Sequence, residues 1–360
     1  MTEHMSQTEQ QASVISRDDV ALVTGATGFI GPRVVQNLVN RGFRRVRVLV
    51  RPSASSSETK VLLQQAGQND LQVIYGNLLS MDDCIAATED ARVIIHLAAG
   101  RGEKSIPDAY LNSVVTTRNL LEASLLHRCL LRFVNLSSFS VYANDGRTPG
   151  KRLDETWPVE QHPERRGDAY SFAKARQEEL VVEYSKKYGI PCVMIRPGWV
   201  YGPGNTAITG RVGIGSFGVF LHLGGSNRIP LSYVDNCAEA ITLAALVPGV
   251  DGEVFNIVDD DLLSSRQLLR LYKRHVRRFS SLYVPKFLSY SLCYFWERYS
   301  AWSEGQLPPA FNRCRWNSFW RKTYYSNDKL KKALGWMPII STQEGLRRYF
   351  EACRRKDAHA

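Results

Sequence analysis

Residues 22–35 read LVTGATGFIGPRVV, and this stretch limits the fold more strongly than any other. A β-branched run stops at Thr24, glycines follow at positions 25, 28 and 31, and a helical periodicity begins at once. Glycine is used where backbone must turn sharply or approach another group closely, and a phosphate at a helix N-terminus is the commonest such group. The pattern predicts a strand, a tight turn at Gly25, a close pyrophosphate approach at Gly28, and a helix that packs on the sheet through Gly31. The spacing is GxxGxxG rather than GxGxxG.

The rest of the chain supplies the setting that this stretch requires. Short apolar runs at 20–24, 46–50, 72–75, 93–97, 132–136 and 192–195 read as strands buried on both faces. Amphipathic segments at 30–41, 109–127 and 170–188 are long enough to be crossover helices. This alternation predicts an α/β fold, a doubly wound parallel sheet. A Ser-rich turn at 53–57 is the one biased tract. With 360 residues, 44% of them hydrophobic, the chain can bury one large α/β domain and an appended lobe. The expected division is a disordered tail over 1–18, a dinucleotide-binding domain over 19–198, and a smaller C-terminal substrate-binding lobe over 199–360, partly interleaved with it.

Composition narrows the function classes. Residues 1–18 are polar and show no secretory signal, so a cytoplasmic location is expected. Seven cysteines without a CxxC pair read as reduced thiols rather than a disulfide framework or zinc site, and the scattered histidines predict no metal. The net charge of +11 is uneven. Residues 266–360 hold 20 of the 46 basic and 6 of the 35 acidic groups, a surplus of 14, which leaves 26 basic against 29 acidic groups elsewhere. The same quarter carries 19 of the 37 aromatic residues. A charged face over a buried aromatic core and contact with an anionic membrane surface are both open readings; nucleic acid is not an expected partner.

A second stretch, YSFAK at 170–174, brings chemistry. On a helix Tyr170 and Lys174 share one face, about a turn apart, and an ammonium there lowers a phenol from its ordinary value of about 10. A phenolate near neutrality is a workable general base. An ordinary surface pair has the same spacing. LSSFSVY at 136–142 follows the fifth strand and places Ser138 to donate to a substrate oxygen.

Together and in order, TGATGFIG, HLAA at 96–99, the Ser138 segment, Tyr170 with Lys174, and RPGWVYGPG at 196–204 resemble the extended short-chain dehydrogenase/reductases. The resemblance covers roughly residues 19–350, because KLKKALGWMP and EGLRRYF also look like that group's C-terminal segments. It implies a Rossmann-type fold and an NAD(P) site formed by Gly25, Thr27, Gly28, Phe29, Ile30 and Gly31, by Asn77 and Leu78 near the adenine, by Leu97, Ala98 and Ala99, and by Tyr170, Lys174, Pro197, Gly198 and Val200. The implied catalytic roles are Tyr170 as acid/base, Lys174 as its activator and ribose ligand, Ser138 as partner of the substrate oxygen, and Asn112 as the helix asparagine lining the site. In that chemistry a hydride passes between the nicotinamide C4 and a carbinol carbon. An acidic residue at the end of the second strand would bond a ribose 2′-hydroxyl; the chain offers Arg51 in VLVRPSAS, which favours NADP, with NAD the alternative.

Departures from pattern bear on the substrate. Nucleotide-sugar 4,6-dehydratases carry Asp and Glu after the catalytic hydroxyl residue, where this chain has Phe139 and Ser140, so sugar dehydration is not expected. The arginine that grips a nucleotide-sugar diphosphate in relatives falls at Ile229, with Arg228 one residue off. The segment GSNRIPLSYVDN, with Asp235 and Asn236, is similar to that of 3β-hydroxysteroid dehydrogenase-like enzymes. The expected function is therefore oxidation or reduction of a secondary alcohol or ketone on an apolar or polycyclic small molecule. A nucleotide-sugar epimerase and a non-catalytic cofactor-binding scaffold are the alternatives. Lys286, Glu297 and Arg298 interrupt the apolar stretch 282–302, which excludes a spanning helix and leaves an interfacial helix or a roof over the substrate pocket. A homodimer through helices of the nucleotide lobe is also compatible with the resemblance.

Overall fold

A computed structural model describes residues 13–52, 71–100, 105–144, 152–216, 218–303 and 312–358. The Ser-rich turn 53–57 and residues 1–12 of the expected tail lie outside the described residues. The central element is a seven-stranded parallel sheet of β1 (Val20–Thr24), β2 (Val46–Val50), β3 (Leu71–Tyr75), β4 (Ala91–His96), β5 (Arg132–Leu136), β6 (Cys192–Pro197) and β7 (Val254–Ile257). Its order is β3-β2-β1-β4-β5-β6-β7. Every residue of β1, β2, β5 and β6 is buried, as near-continuous Val, Ile and Leu runs require when helices cover both faces.

The helices follow from local signals. α1 (Gly31–Asn40) opens on Pro32, whose fixed φ suits a first turn. α2 (Met81–Thr88) starts at Ser80, whose hydroxyl accepts from the Asp83 N–H. The segment expected as one helix over 109–127 is instead α3 (Ile106–Tyr110), a π-helical turn at Leu111–Val115, and α4 (Thr116–His127). Its earlier start has a sequence cause: Ser105 caps it by accepting from the Asp108 N–H, and Pro107 sits in the first turn. α5 (Ala169–Tyr188) is capped by Asp168 and ends at Gly189, φ +70°.

Beyond Pro197 the chain alternates between the lobe and the sheet. Trp199–Tyr201 pairs with Leu231–Tyr233, and Gly213–Ser216, Val219–His222 and Ser281–Tyr283 form a small sheet. α6 (Val234–Leu246) returns to the main sheet's side, tied to α1 by Arg33–Asp235 at 2.7 Å and Arg41–Glu239 at 2.5 Å, and β7 then joins the main sheet. α7 (Ser265–His275), α8 (Lys286–Trp302), α9 (Arg313–Trp320), α10 (Asp328–Leu334) and α11 (Thr342–Ala358) complete the order. Within the stretch expected as a tail, Val14 and Ile15 pack at the C-terminal end of α6, where the Val14 N–H donates to Leu246 O at 2.9 Å and Ile15 is buried, while Ser13, Ser16, Arg17 and Asp18 are exposed.

Asn236, on α6, fixes the C-terminal segment by donating to Ile340 O at 2.8 Å and accepting from the Ile340 N–H at 2.9 Å. The indole of Trp336 is wholly buried beside it and donates to Asn236 O at 3.1 Å. Trp336→Ala is expected to cost about 3–5 kcal/mol, read from the midpoint of urea unfolding. An unshifted midpoint would mean that this segment does not anchor the fold.

Candidate active site

In a doubly wound sheet, ligands bind outside the carboxyl ends of the strands where the winding reverses, here between β1 and β4. Thr24 ends β1 opposite His96, and the Leu97 N–H donates to Thr24 O at 3.2 Å. Gly25 follows with φ +69°, and a Cβ there would stand 2.7 Å from Ala98 N and 2.9 Å from Leu97 C, both backbone atoms. Only glycine satisfies both limits. At Gly31 a Cβ would lie 2.3 Å from Gly25 O, so this position serves helix–turn packing. Gly28 differs: it is exposed, and a Cβ would meet only Gly25 O at 3.1 Å. The fold makes the weakest demand for glycine at the position where the sequence places a ligand.

Thr27 is half-buried, whereas Phe29 and Ile30 are buried beneath the turn, with the Phe29 ring against Gly204. Ile30 precedes α1 without a side-chain cap; its carbonyl accepts from the Arg33 and Val34 N–H groups at 3.1 and 3.3 Å, and Pro32 has no N–H. Leu97, Ala98 and Ala99 continue β4 along the crevice, half-buried. Pro197 ends β6, and Gly198 follows with its N–H on Ile257 O at 3.0 Å; a Cβ at Gly198 would fall 2.3 Å from Pro230 O. Val200, half-buried, belongs to the next short strand. Arg51 is exposed just past β2, and Leu78, in the loop after β3, is buried. Asn77 is exposed; its side-chain oxygen accepts from the Leu79 N–H at 3.1 Å, and its own N–H donates to Asp83 at 2.7 Å.

The four expected catalytic side chains distribute over the ends of β5, α5 and the π turn. Ser138 caps a short 3-10 turn, Phe139–Val141, by accepting from the Ser140 N–H at 3.1 Å, which leaves its hydroxyl proton to donate. Tyr170 lies in the first turn of α5 and is 40% exposed. Lys174, one turn on, is buried, and its Nζ donates to Leu136 O at 2.6 Å, two residues before Ser138. Asn112 is half-buried on the π turn, and its amide donates to Asp108 O at 2.9 Å.

Other polar residues under the site escaped the sequence reading. Glu178, one turn beyond Lys174, forms a buried ion pair with Arg196 of β6 and accepts from the Ser137 hydroxyl at 2.5 Å. Arg196 also lies over the Tyr142 ring, and Tyr142 donates to Asn256 at 2.6 Å. Burial pushes the Tyr142 phenol up to about 12. A charged residue inside the apolar run CVMIRP was the signal available for this pair.

Residues 21–257 match the NAD dependent epimerase/dehydratase family. The chain is similar to 3beta-hydroxysteroid-dehydrogenase/decarboxylase isoform 1 of Arabidopsis thaliana, 24% identical over 92% of this chain and 79% of that protein. It is also similar to a 3 beta-hydroxysteroid dehydrogenase/Delta 5-->4-isomerase of Mycobacterium tuberculosis, 27% identical over 93% of this chain and 90% of the relative. Among solved structures, UDP-glucuronic acid 4-epimerase from Bacillus cereus in complex with NAD shares the fold, with a TM-score of 0.68 and 21% identity over 94% of this chain and 99% of that one. A glycine turn clasped to the end of β4, the 3-2-1-4-5-6-7 strand order and a family match over residues 21–257 lead to one conclusion: the chain belongs to the NAD dependent epimerase/dehydratase family, the extended short-chain dehydrogenase/reductases.

Proposed function

We propose that this chain is an NADP-dependent oxidoreductase that interconverts a secondary alcohol and a ketone on an apolar or polycyclic substrate, with Tyr170, Lys174 and Ser138 at the reacting centre. The observation that carries the reading is the α5 geometry: an exposed Tyr170 one turn above a buried Lys174 whose ammonium is fixed at the end of β5, next to Ser138. The cradle at Gly28 and the uncapped start of α1 fit a pyrophosphate. Arg51, with no acidic residue at the end of β2, supports NADP.

When bound, the cofactor supplies the hydride acceptor or donor at its nicotinamide ring. The protein's own residues handle the proton and the oxygen. Tyr170 Oη takes the carbinol proton in oxidation and returns it in reduction, Ser138 donates to the substrate oxygen, and the Lys174 ammonium favours the phenolate. The names of the steroid-acting relatives support an apolar substrate. A diphosphate grip receives less support: Ile229 is wholly buried, and Arg228 donates to Leu262 O at 2.5 Å.

A basic membrane surface is part of the same proposal. Along α8, Leu288, Leu292, Phe295, Tyr299 and Trp302 recur at intervals of three and four and are exposed, Phe295 by 66% and Trp302 by 76%. Ser289, Cys293 and Ser300 face inward. An outward aromatic stripe in a region with a surplus of 14 positive charges suits an anionic bilayer surface. The seven unpaired cysteines suit the reducing cytoplasm.

Three measurements test this reading. Tyr170→Phe is expected to lower turnover of a 3β-hydroxysteroid with NADP by about 10²–10⁴-fold, followed at the NADPH absorbance, while NADPH binding stays near wild type. Unchanged turnover would remove Tyr170 from the chemistry, and retained cofactor with no net absorbance change would favour the epimerase reading. Gly28→Ala should keep the wild-type melting temperature and weaken NADPH binding by about tenfold or more, whereas Gly31→Ala should lower the melting temperature. Gly28→Ala binding NADPH as the parent does would exclude the cradle. Wild-type protein should sediment with phosphatidylserine vesicles at low salt, and a Phe295→Ser/Trp302→Ser variant should not; a wild type that stays in the supernatant would refute the membrane face.

A further inference from the structure

Between the glycine turn and Lys174 runs an uninterrupted chain of buried hydrogen bonds that none of the roles above uses. The Thr24 hydroxyl lies 2.7 Å from His96 Nδ1, and His96 Nε2 lies 2.8 Å from Thr117 Oγ1. Gln177 Nε2 is 2.8 Å from the same Thr117 oxygen, and Gln177 Oε1 accepts from Lys174 Nζ at 2.9 Å. His96, Thr117, Lys174 and Gln177 are all at most 3% exposed.

The donor inventory gives this chain one direction. Thr117 Oγ1 also lies 2.5 Å from Ser113 O, which only accepts, so the hydroxyl proton is used there. Thr117 must then accept from both His96 and Gln177. It follows that the Gln177 NH₂ faces Thr117 and its carbonyl faces Lys174, an amide orientation with no satisfactory flip. His96 is the Nε2–H tautomer, with Nδ1 accepting from Thr24. Burial, and secondarily the Lys174 ammonium, hold that ring far below the ordinary histidine range, at about 3. The ring therefore stays neutral and adds no second cation.

We propose that Gln177 is a positioning residue for Lys174: its amide, oriented from the nucleotide turn through Thr24, His96 and Thr117, holds the ammonium at the end of β5 without neutralising it. This rests on the reading of Tyr170 and Lys174 given above. A carboxylate at 177 would bind the ammonium more strongly and cancel its field; an apolar side chain would leave it without one acceptor. The charged groups around Lys174 do not replace this effect. Glu178 of α5 is matched by Arg196 of β6, His96 of β4 is neutral, Asp168 caps α5 on the Ser171 N–H, and α4 and the π turn present the Thr117 and Ser113 hydroxyls.

The test needs no substrate. The tyrosinate absorbance of wild type minus Tyr170→Phe, recorded as a pH titration, isolates Tyr170, and the same difference is taken in Gln177→Met and Gln177→Glu. The expected wild-type midpoint lies below the ordinary value of about 10, and both variants raise it by about 0.5–1 unit. Should Gln177→Met fail to fold, the isosteric Gln177→Glu carries the same readout. A wild-type midpoint at the ordinary value would defeat the Tyr170–Lys174 reading itself. A low wild-type midpoint that neither variant moves, even with lower melting temperatures, would overturn the positioning role alone. Nitrogen NMR of His96 offers a second check, since a proton found on Nδ1 would reverse the chain and overturn it.

Discussion

The contact of Gly25 with the backbone of Leu97 and Ala98 is the constraint on which the rest of the structure depends. Two neighbouring parallel strands must end together while their chains leave in opposite senses, and the space between them admits no Cβ. Because the strands end in register, Thr24 faces His96, and the side chains just below the crevice are brought within hydrogen-bond distance of each other. The crevice above and the polar chain below it are thus two results of one close approach. His96 crosses to Thr117 on α4, and Gln177 on α5 meets the same hydroxyl, so one buried oxygen ties α4 to α5.

The walls of the site are stiffened by charge taken out of water. An isolated buried ion costs several kcal/mol, so each must be held by groups that cannot drift. Lys174 uses the Leu136 carbonyl, and Glu178 and Arg196 use each other. Arg166, buried in the loop before α5, donates to the Ser140 and Tyr142 carbonyls and to the Ser318 hydroxyl, which stitches α9 onto the Ser138 turn. At the opposite end of β5, Arg132 meets Asp251 and the last carbonyls of α6, where the helix dipole favours a cation. β5 is therefore fixed at both ends by buried cations, with Ser138 just beyond one of them.

What the sequence made legible follows from which forces are local. Strands β1, β2 and β5 have the bounds that their apolar runs predict, because a strand buried on both faces needs little besides those runs. Gly25 and Gly31 were readable because steric exclusion of a Cβ leaves one residue type. The π turn at Leu111–Val115 left no periodic signal, since one extra residue per turn is absorbed by threonine hydroxyls bonding back to Asn112 and Ser113. Gln177 was hidden for another reason: its role depends on Thr117 and His96, residues distant in sequence, and a polar residue three positions after a lysine is unremarkable on any helix.

The C-terminal quarter shows why composition alone could not separate a core from a surface. Its aromatic residues form two populations. Trp316, Trp320, Trp336, Tyr349 and Phe350 are buried, whereas Phe287, Phe295, Tyr299 and Trp302 face out along α8. A total cannot distinguish them; the direction in which each side chain points can. The same direction bears on the membrane contact proposed above. At 17 residues α8 is roughly 26 Å long, short of the ~30 Å hydrocarbon core. Its inner side is committed to the protein through the Ser289 hydroxyl, which accepts from the Trp316 indole at 2.9 Å, and through Glu297, which pairs with Arg313. Among the described residues no helix is long and apolar enough to span. In the membrane contact proposed above, a helix with one side held by its own domain and one aromatic side outward would lie with its axis in the plane of the surface.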